Sequence, residues 1–329
     1  MTQDAFDVIN EATAGVILTT CLNAVTEARI ADALGDAPQT AEQLAKATAT
    51  DAGALHRMLR FLAAYGIFEA REGGWAHSPV SRFLRADHPQ SLRGYVMLTA
   101  LPSFQQGFAS LAYSLQTGRP AIEKVSPEGI WKILAGDPEQ ARVFNEGMAV
   151  KARGQVAGVV AHYDFSRFGT IADIGGGHGH LLQAVLAAAP NSKGILFDQP
   201  SVTAGAAGIA SERLKLQAGD FFNDALPVAD AYLIMQVIHD WNDEDSAKIL
   251  SGIRRSAPAH AKLLLVEAVI PDPPKRDWAL QVDVTMLALL HGKERTRNEY
   301  QKLLASAGFR LERAIDVGQS TAILEAVPV

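Results

Sequence analysis

Apolar residues along this chain recur first with a helical period and later in short runs separated by helical segments. Up to about residue 90 the pattern predicts an apolar helix over 12–25, a second over 41–47 behind Thr40, and a third over 52–65. Asp51 stands in the N-cap position of the third, and Gly66 closes it. Residues 67–70, a turn over 71–74 and residues 75–78 then predict a two-stranded hairpin. Helix, helix and wing in that order make a winged-helix silhouette. Residues 92–163 read as helices punctuated by Gly118, Pro120, Pro127 and Gly136, with Phe104, Phe108, Tyr113, Trp131, Phe144 and Met148 on them.

From Thr170 onward short apolar strands alternate with helices. Strands are predicted at Thr170–Ile174, 194–197, 214–217, Ala231–Met235 and 261–267, and helices at 181–189, 204–211 and 245–256. Such alternation means an α/β domain with an open, doubly wound, mostly parallel sheet. Two final strands, 309–317 and 320–326, have no helix between them and predict an antiparallel hairpin at one edge of this seven-stranded sheet. The expected division is a helical, winged-helix-like domain over 1–95 and an α/β domain over 96–329, whose residues 96–165 form a helical linker contributing to a substrate pocket.

Composition narrows the partners. A 329-residue chain with 48% hydrophobic and 20% charged residues is an ordinary folded protein, and its net charge of -6 leaves no electrostatic footprint for a phosphate backbone. The second helix of the winged unit carries His56, Arg57 and Arg60, but it is dense in Leu55, Met58, Leu59, Phe61 and Leu62. Packing against a second copy is therefore expected there, giving a homodimer with no nucleic acid. The 12–25 stretch follows Asp4, Asp7 and Glu11, where a signal sequence would be basic, and Asn23 interrupts it. It reads as a buried amphipathic helix, no run is taken to reach the roughly 20 apolar residues of a membrane span, and no membrane partner is expected. The single Cys21 excludes an internal disulfide and suits a cytoplasmic setting.

Chemistry enters at the end of the first α/β strand, in Asp173-Ile174-Gly175-Gly176-Gly177-His178-Gly179-His180. Glycines at a strand-to-helix turn let the backbone approach a ligand, and in open α/β sheets ligands lie beyond the carboxyl ends of the strands. A dinucleotide fingerprint would need a third glycine where His180 stands. The spacing Gly175, Gly177, Gly179 behind Asp173 resembles instead the acidic-x-Gly-x-Gly-x-Gly loop of class I methyltransferases, whose ligand carries a cationic amino group and no pyrophosphate. Asp198 ends the second strand, placed to accept from ribose hydroxyls, and Asp220 ends the third, placed to accept from an adenine amino group over which Phe221 could stack. After the fourth strand, His239 reaches the same edge.

Four motifs carry a wider resemblance. They are the Asp173 glycine loop, Gly219-Asp220-Phe221-Phe222, His239-Asp240-Trp241-Asn242-Asp243-Glu244 and Gly292-Lys293-Glu294-Arg295-Thr296. From residue 41 nearly to the C-terminus the chain is similar to the two-domain small-molecule O-methyltransferases, the group of plant caffeic acid O-methyltransferase and bacterial natural-product O-methyltransferases. The resemblance implies S-adenosylmethionine as methyl donor, held by Asp173, Gly175, Gly177, Asp198, Gln199, Gly219, Asp220, Phe221, Met235 and Gln236. It implies His239 as general base for a substrate hydroxyl, with Glu267 and Glu294 flanking the imidazole. A positioned base typically contributes about 10² to 10⁴ in rate, and a carboxylate on the other ring nitrogen fixes the tautomer. No metal is expected.

The acceptor is read from apolar residues: Phe104, Phe108, Phe144, Met148, Met286 and Leu290, with Asp240 beside the base, imply a flat aromatic molecule. Two departures touch this pocket. Met235 stands where plant members often carry Lys, and His291 precedes Gly292, either as a bulky turn residue or as a second polar group for the substrate. Competing readings are a family member repurposed to N-methylation or cofactor-assisted hydroxylation, a ligand-sensing regulator that binds DNA through the winged helix, and a nicotinamide oxidoreductase.

Overall fold

The computed structural model describes residues 4–329 and packs as two compact units. The first runs to Gln106 and includes Trp131–Ala152; the second comprises Gly107–Ile130 and Arg153–Val329. The linker assigned to the α/β domain from sequence is thus shared out between the two units.

In the first unit the helices Ala41–Thr48 and Ala52–Ala64 precede strands β1 (Phe68–Arg71) and β2 (Gly74–His77). Thr40 and Gln43 form a capping box, and Asp51 accepts from the amide of Ala54 at 2.8 Å, so both helix starts are fixed by local polar residues. Gly74 at φ +133° lies against Gln39, where a Cβ would come within 2.2 Å of the carbonyl oxygen. Leu34, Leu44, Leu59, Leu62 and Phe68 form the core of this small unit.

The apolar stretch near the N-terminus corrects two expectations. It forms the helix Ala5–Glu27, but only Asn23, Val25 and Thr26 on it are buried, and its apolar residues form no single stripe. Phe6, Ile9, Val16 and Ile17 are all more than half exposed. By length and apolar composition this helix could also cross a membrane, contrary to the sequence reading. Its C-terminal part packs on the core of this unit through Leu18, Cys21, Leu22 and Val25, while the apolar residues nearer its start lie outside that core.

The second unit is built on a mixed sheet. Its strands are β3 (Thr170–Ile174), β4 (Lys193–Asp198), β5 (Leu214–Ala218), β6 (Ala231–Met235), β7 (Lys262–Ile270), β8 (Arg295–Thr296), β9 (Phe309–Gly318) and β10 (Thr321–Pro328). The order is β5-β4-β3-β6-β7-β10-β9, with β10 antiparallel to both neighbours and the short β8 pairing in parallel with β7. Thr170–Ile174 and Ala231–Met235 stand where the sequence placed them, because strands buried on both faces read as unbroken apolar runs. The helix expected over 204–211 is instead Pro200–Gly205 followed by a 3-10 turn at Ala207–Ile209, since Pro200 opens a helix at its first position. Core layers on the two faces hold the sheet, one around Tyr232, Leu263 and Leu304, the other around Leu182, Leu196 and Val266.

Candidate functional site

The reversal of strand order between β3 and β6 opens a crevice at their carboxyl ends, and the predicted acids converge on it. Asp173 lies within β3, paired with Leu196 of β4 and Leu233 of β6, and it is 1% exposed. Neither of its carboxylate oxygens has a hydrogen-bond partner. Burial, reinforced by the charge of Asp198, pushes its carboxyl up to about 7. A buried acceptor with no donor is costly unless a ligand supplies one.

The glycine loop wraps this carboxylate. Gly175, Gly177 and Gly179 all have φ between +59° and +75°, a left-handed geometry that favours glycine. A Cβ on Gly176 would come within 2.6 Å of the Asp173 carboxyl, so the backbone lies directly on it. Gly179 is the N-cap of the helix His180–Ala188. Asp198 accepts from the amide of Gly177 at 2.8 Å and from that of Gln199 at 2.7 Å, which ties the ends of β3 and β4 together. Asp220 accepts from the amide of Phe222 at 2.9 Å and from the side chain of Asn223 at 2.6 Å, so it braces its own turn. Gly219 packs against the ring of Phe197. Phe221 meets Phe222 and Trp241 edge-on and lies beside Gly175.

At the end of β6, Met235 is half-buried and Gln236 adopts φ +53°, an uncommon conformation for a residue with a Cβ. Gln236 donates to Glu267 at 3.3 Å, while its Oε1 is buried without a partner. At the carboxyl ends of β3 and β6, Asp173 and Gln236 thus hold three buried acceptor oxygens without a partner. That chemistry fits a ligand with a cationic amino group and disfavours a pyrophosphate.

His239 lies in the 3-10 turn Ile238–Asp240 that follows β6 and is 4% exposed. Its Nδ1 is 2.6 Å from Glu294 Oε1 and 3.9 Å from Glu267 Oε2, and its Nε2 is 3.4 Å from Asp240 Oδ1. The sheet explains the convergence. Met235 pairs with Val266, which puts Glu267 level with the turn; Arg295 pairs with Val269, which puts Glu294 beside it. Glu267 Oε1 accepts from the amides of Val237 and Ile238 at 3.2 and 2.9 Å, holding the turn itself. Burial works against the imidazolium, but Asp240, Glu267 and Glu294 outweigh it and push His239 up to about 9. Burial raises Glu267 to about 7, with His239 opposing. The donor atoms of His239, Glu267 and Glu294 lie within 4.8 Å of one another, a grouping into which a divalent cation would also fit. The family resemblance implies this trio from three distant segments of the sequence, without a metal.

Sequence reasoning missed the residues that hold this trio. Glu294 donates its amide to Asp283 at 3.0 Å, from the helix Trp278–Leu289. Gly292 is indispensable as a contact surface: a Cβ there would stand 1.8 Å from the carbonyl oxygen of His239. Arg295 is wholly buried, an uncommon place for an arginine.

The expected acceptor residues divide between the units. In the first, buried Phe104 and half-buried Phe144 have ring centroids 6.3 Å apart, Trp131 stands edge-on to Phe144 at 5.7 Å, and Met148 is half-buried. In the second, Met286 is buried, Leu290 is half-buried and bonded to the carbonyl of Met286, and Phe108 is 39% exposed. His291 pairs with buried Glu123 at 2.7 Å, so it tethers the loop that carries Gly292.

Comparison with known proteins places these features. Residues 108–310 match the model of an O-methyltransferase domain, and residues 10–87 match that of an O-methyltransferase dimerisation domain. The phenazine O-methyltransferase PhzM of Lysobacter antibioticus is 38% identical over 322 residues, covering 96% of this chain and 94% of that one. An 8-amino-8-demethylriboflavin N,N-dimethyltransferase of Streptomyces davaonensis is 36% identical over 317 residues, covering 92% of this chain and 90% of that one. The crystal structure of CalO1, a methyltransferase in calicheamicin biosynthesis, in its S-adenosylhomocysteine-bound form, superposes with a TM-score of 0.92 at 32% identity, covering 100% of both chains.

Proposed function

Since the chain belongs to the S-adenosylmethionine-dependent O-methyltransferase family of small-molecule enzymes, we propose that it methylates a hydroxyl of an aromatic metabolite with His239 as general base. The observation that carries this reading is the 2.6 Å contact between His239 Nδ1 and Glu294. With Nδ1–H donating to the carboxylate, Nε2 is the nitrogen that takes the substrate proton. Glu294 then stabilises the imidazolium as it forms. Glu267 holds the turn through two backbone amides and adds negative charge behind the ring.

S-adenosylmethionine, when bound, supplies an activated methyl group on a sulfonium. Asp173 would accept from its amino group, satisfying the orphaned carboxylate, and Asp198 would receive the ribose. Gly175, Gly177 and Gly219 leave room for close approach, and Phe221 offers a ring to the adenine beside Met235, Gln236, Gln199 and Asp220. The remaining rate comes from orientation, to which a well-positioned pair of reactants can contribute as much as about 7–11 kcal/mol.

Within the second unit, Phe108, Met286 and Leu290, with Asp240 beside the base, suit a flat ring system as acceptor. The phenazine enzyme among the relatives supports an aromatic acceptor, and the match over 10–87 supports a homodimer. The N,N-dimethyltransferase relative makes N-methylation the second reading. A panel of hydroxyphenazines, hydroxynaphthoates and flavonoids, with their amino analogues, tests both using methyl-labelled S-adenosylmethionine. Label on phenolic oxygen is expected. Label on the amines alone overturns the oxygen assignment.

A further inference from the structure

Arg295 is 0% exposed and is fixed on several sides. Its guanidinium donates to Asp243 at 2.9 Å through Nε, with NH2 at 2.8 Å from the same carboxylate. It also donates to the carbonyls of Ile238 at 3.3 Å, Trp241 at 3.0 Å and Lys293 at 3.2 Å, and to Ser246 Oγ at 3.3 Å. Ser246 in turn donates to the same carbonyls of Ile238 and Trp241. Residues 238 and 241 bracket His239-Asp240, while residue 293 precedes Glu294.

We infer that Arg295 is a positioning residue that sets the distance between His239 and Glu294, by holding the turn that bears one to the loop that bears the other. Its planar fork reaches both segments at once, which the point charge of lysine cannot do. Gly292 adds the matching contact, since its backbone lies flush on the His239 carbonyl. Burying a guanidinium is costly without full satisfaction, and here the donors are spent on the backbone around the catalytic residues. Asp243 bears the compensating charge from a position 59% exposed at the start of the helix Asp243–Ser256, with Lys293 on its second oxygen. The assignment rests on His239 and Glu294 forming the base pair proposed above.

The test needs no methyl acceptor. A buried imidazole N–H held by a carboxylate gives a strongly downfield proton resonance. In the full-length protein with S-adenosylhomocysteine bound, that resonance should be present, and E294Q and H239A should each abolish it. Arg295→Lys should keep S-adenosylhomocysteine affinity within about threefold, a difference of less than 1 kcal/mol, and yet lose or shift the resonance. Asp243→Asn, which removes the charge that pairs with Arg295 and Lys293 and leaves the Arg295 side chain in place, should shift it in the same direction by less. A resonance that survives E294Q overturns the base pair itself. One that E294Q removes and R295K leaves unchanged overturns only the positioning role, as does loss of the fold in both R295K and D243N.

Discussion

Asp173 and His239 are both buried ionisable groups, and their surroundings push them in ways that can be measured. With its carboxyl raised to about 7, native Asp173 retains a proton that the unfolded chain has already released. The ligand-free protein should therefore lose stability as pH rises from about 4 to 7, by an upper bound of about 4 kcal/mol from this group. Denaturant titrations at several pH values should show that slope, and Asp173→Asn should flatten it while abolishing S-adenosylhomocysteine binding in calorimetry. At His239, activity requires the neutral imidazole, so kcat/KM should climb with pH toward an apparent value near 9. Removing a carboxylate lowers that value. Glu294→Gln should move the limb to lower pH and reduce kcat by about 10²-fold or more. A limb that stays in place would separate Glu294 from the titration. Treatment with a chelator should leave turnover unchanged; loss of activity restored by a divalent cation would turn the His239, Glu267 and Glu294 cluster into a metal site.

At the level of elements, the site is a product of strand register and one close backbone contact. β7 carries Glu267 on the strand itself, and the two-residue β8, beginning at Arg295, sets the preceding Glu294 alongside it. Replacing Gly292 with alanine would drive a methyl group into the His239 carbonyl, so the turn or the loop must move. G292A is expected to lose stability by about 1–3 kcal/mol in denaturant titration and to lose most turnover. Wild-type turnover in G292A would show that the turn tolerates displacement. The strands and the acids at their ends were legible in sequence, because buried parallel strands are apolar runs and ligand sites fall at their carboxyl ends. The two-residue β8 and the buried Arg295 were not. Neither has a periodic pattern, and a charged residue in sequence reads as a surface one until its carbonyl partners are known.

For the molecule as a whole, the exposed helix Ala5–Glu27 is the feature that local pattern describes least well. An apolar stretch records that a surface is to be covered, and it does not record which chain covers it. The match of 10–87 to a dimerisation domain argues for a second copy. Sedimentation should find a dimer, and Val16→Glu with Ile17→Glu should yield monomer; a wild-type monomer at micromolar concentration would remove that helix from any interface.

As general base, His239 takes the proton from the acceptor and does not build the cofactor crevice. His239→Ala tests it most directly, with S-adenosylhomocysteine affinity measured by calorimetry alongside methyl transfer to an acceptor of the wild-type enzyme. The predicted result is affinity close to wild type with turnover reduced by about 10²-fold or more. Turnover near the wild-type rate would contradict it.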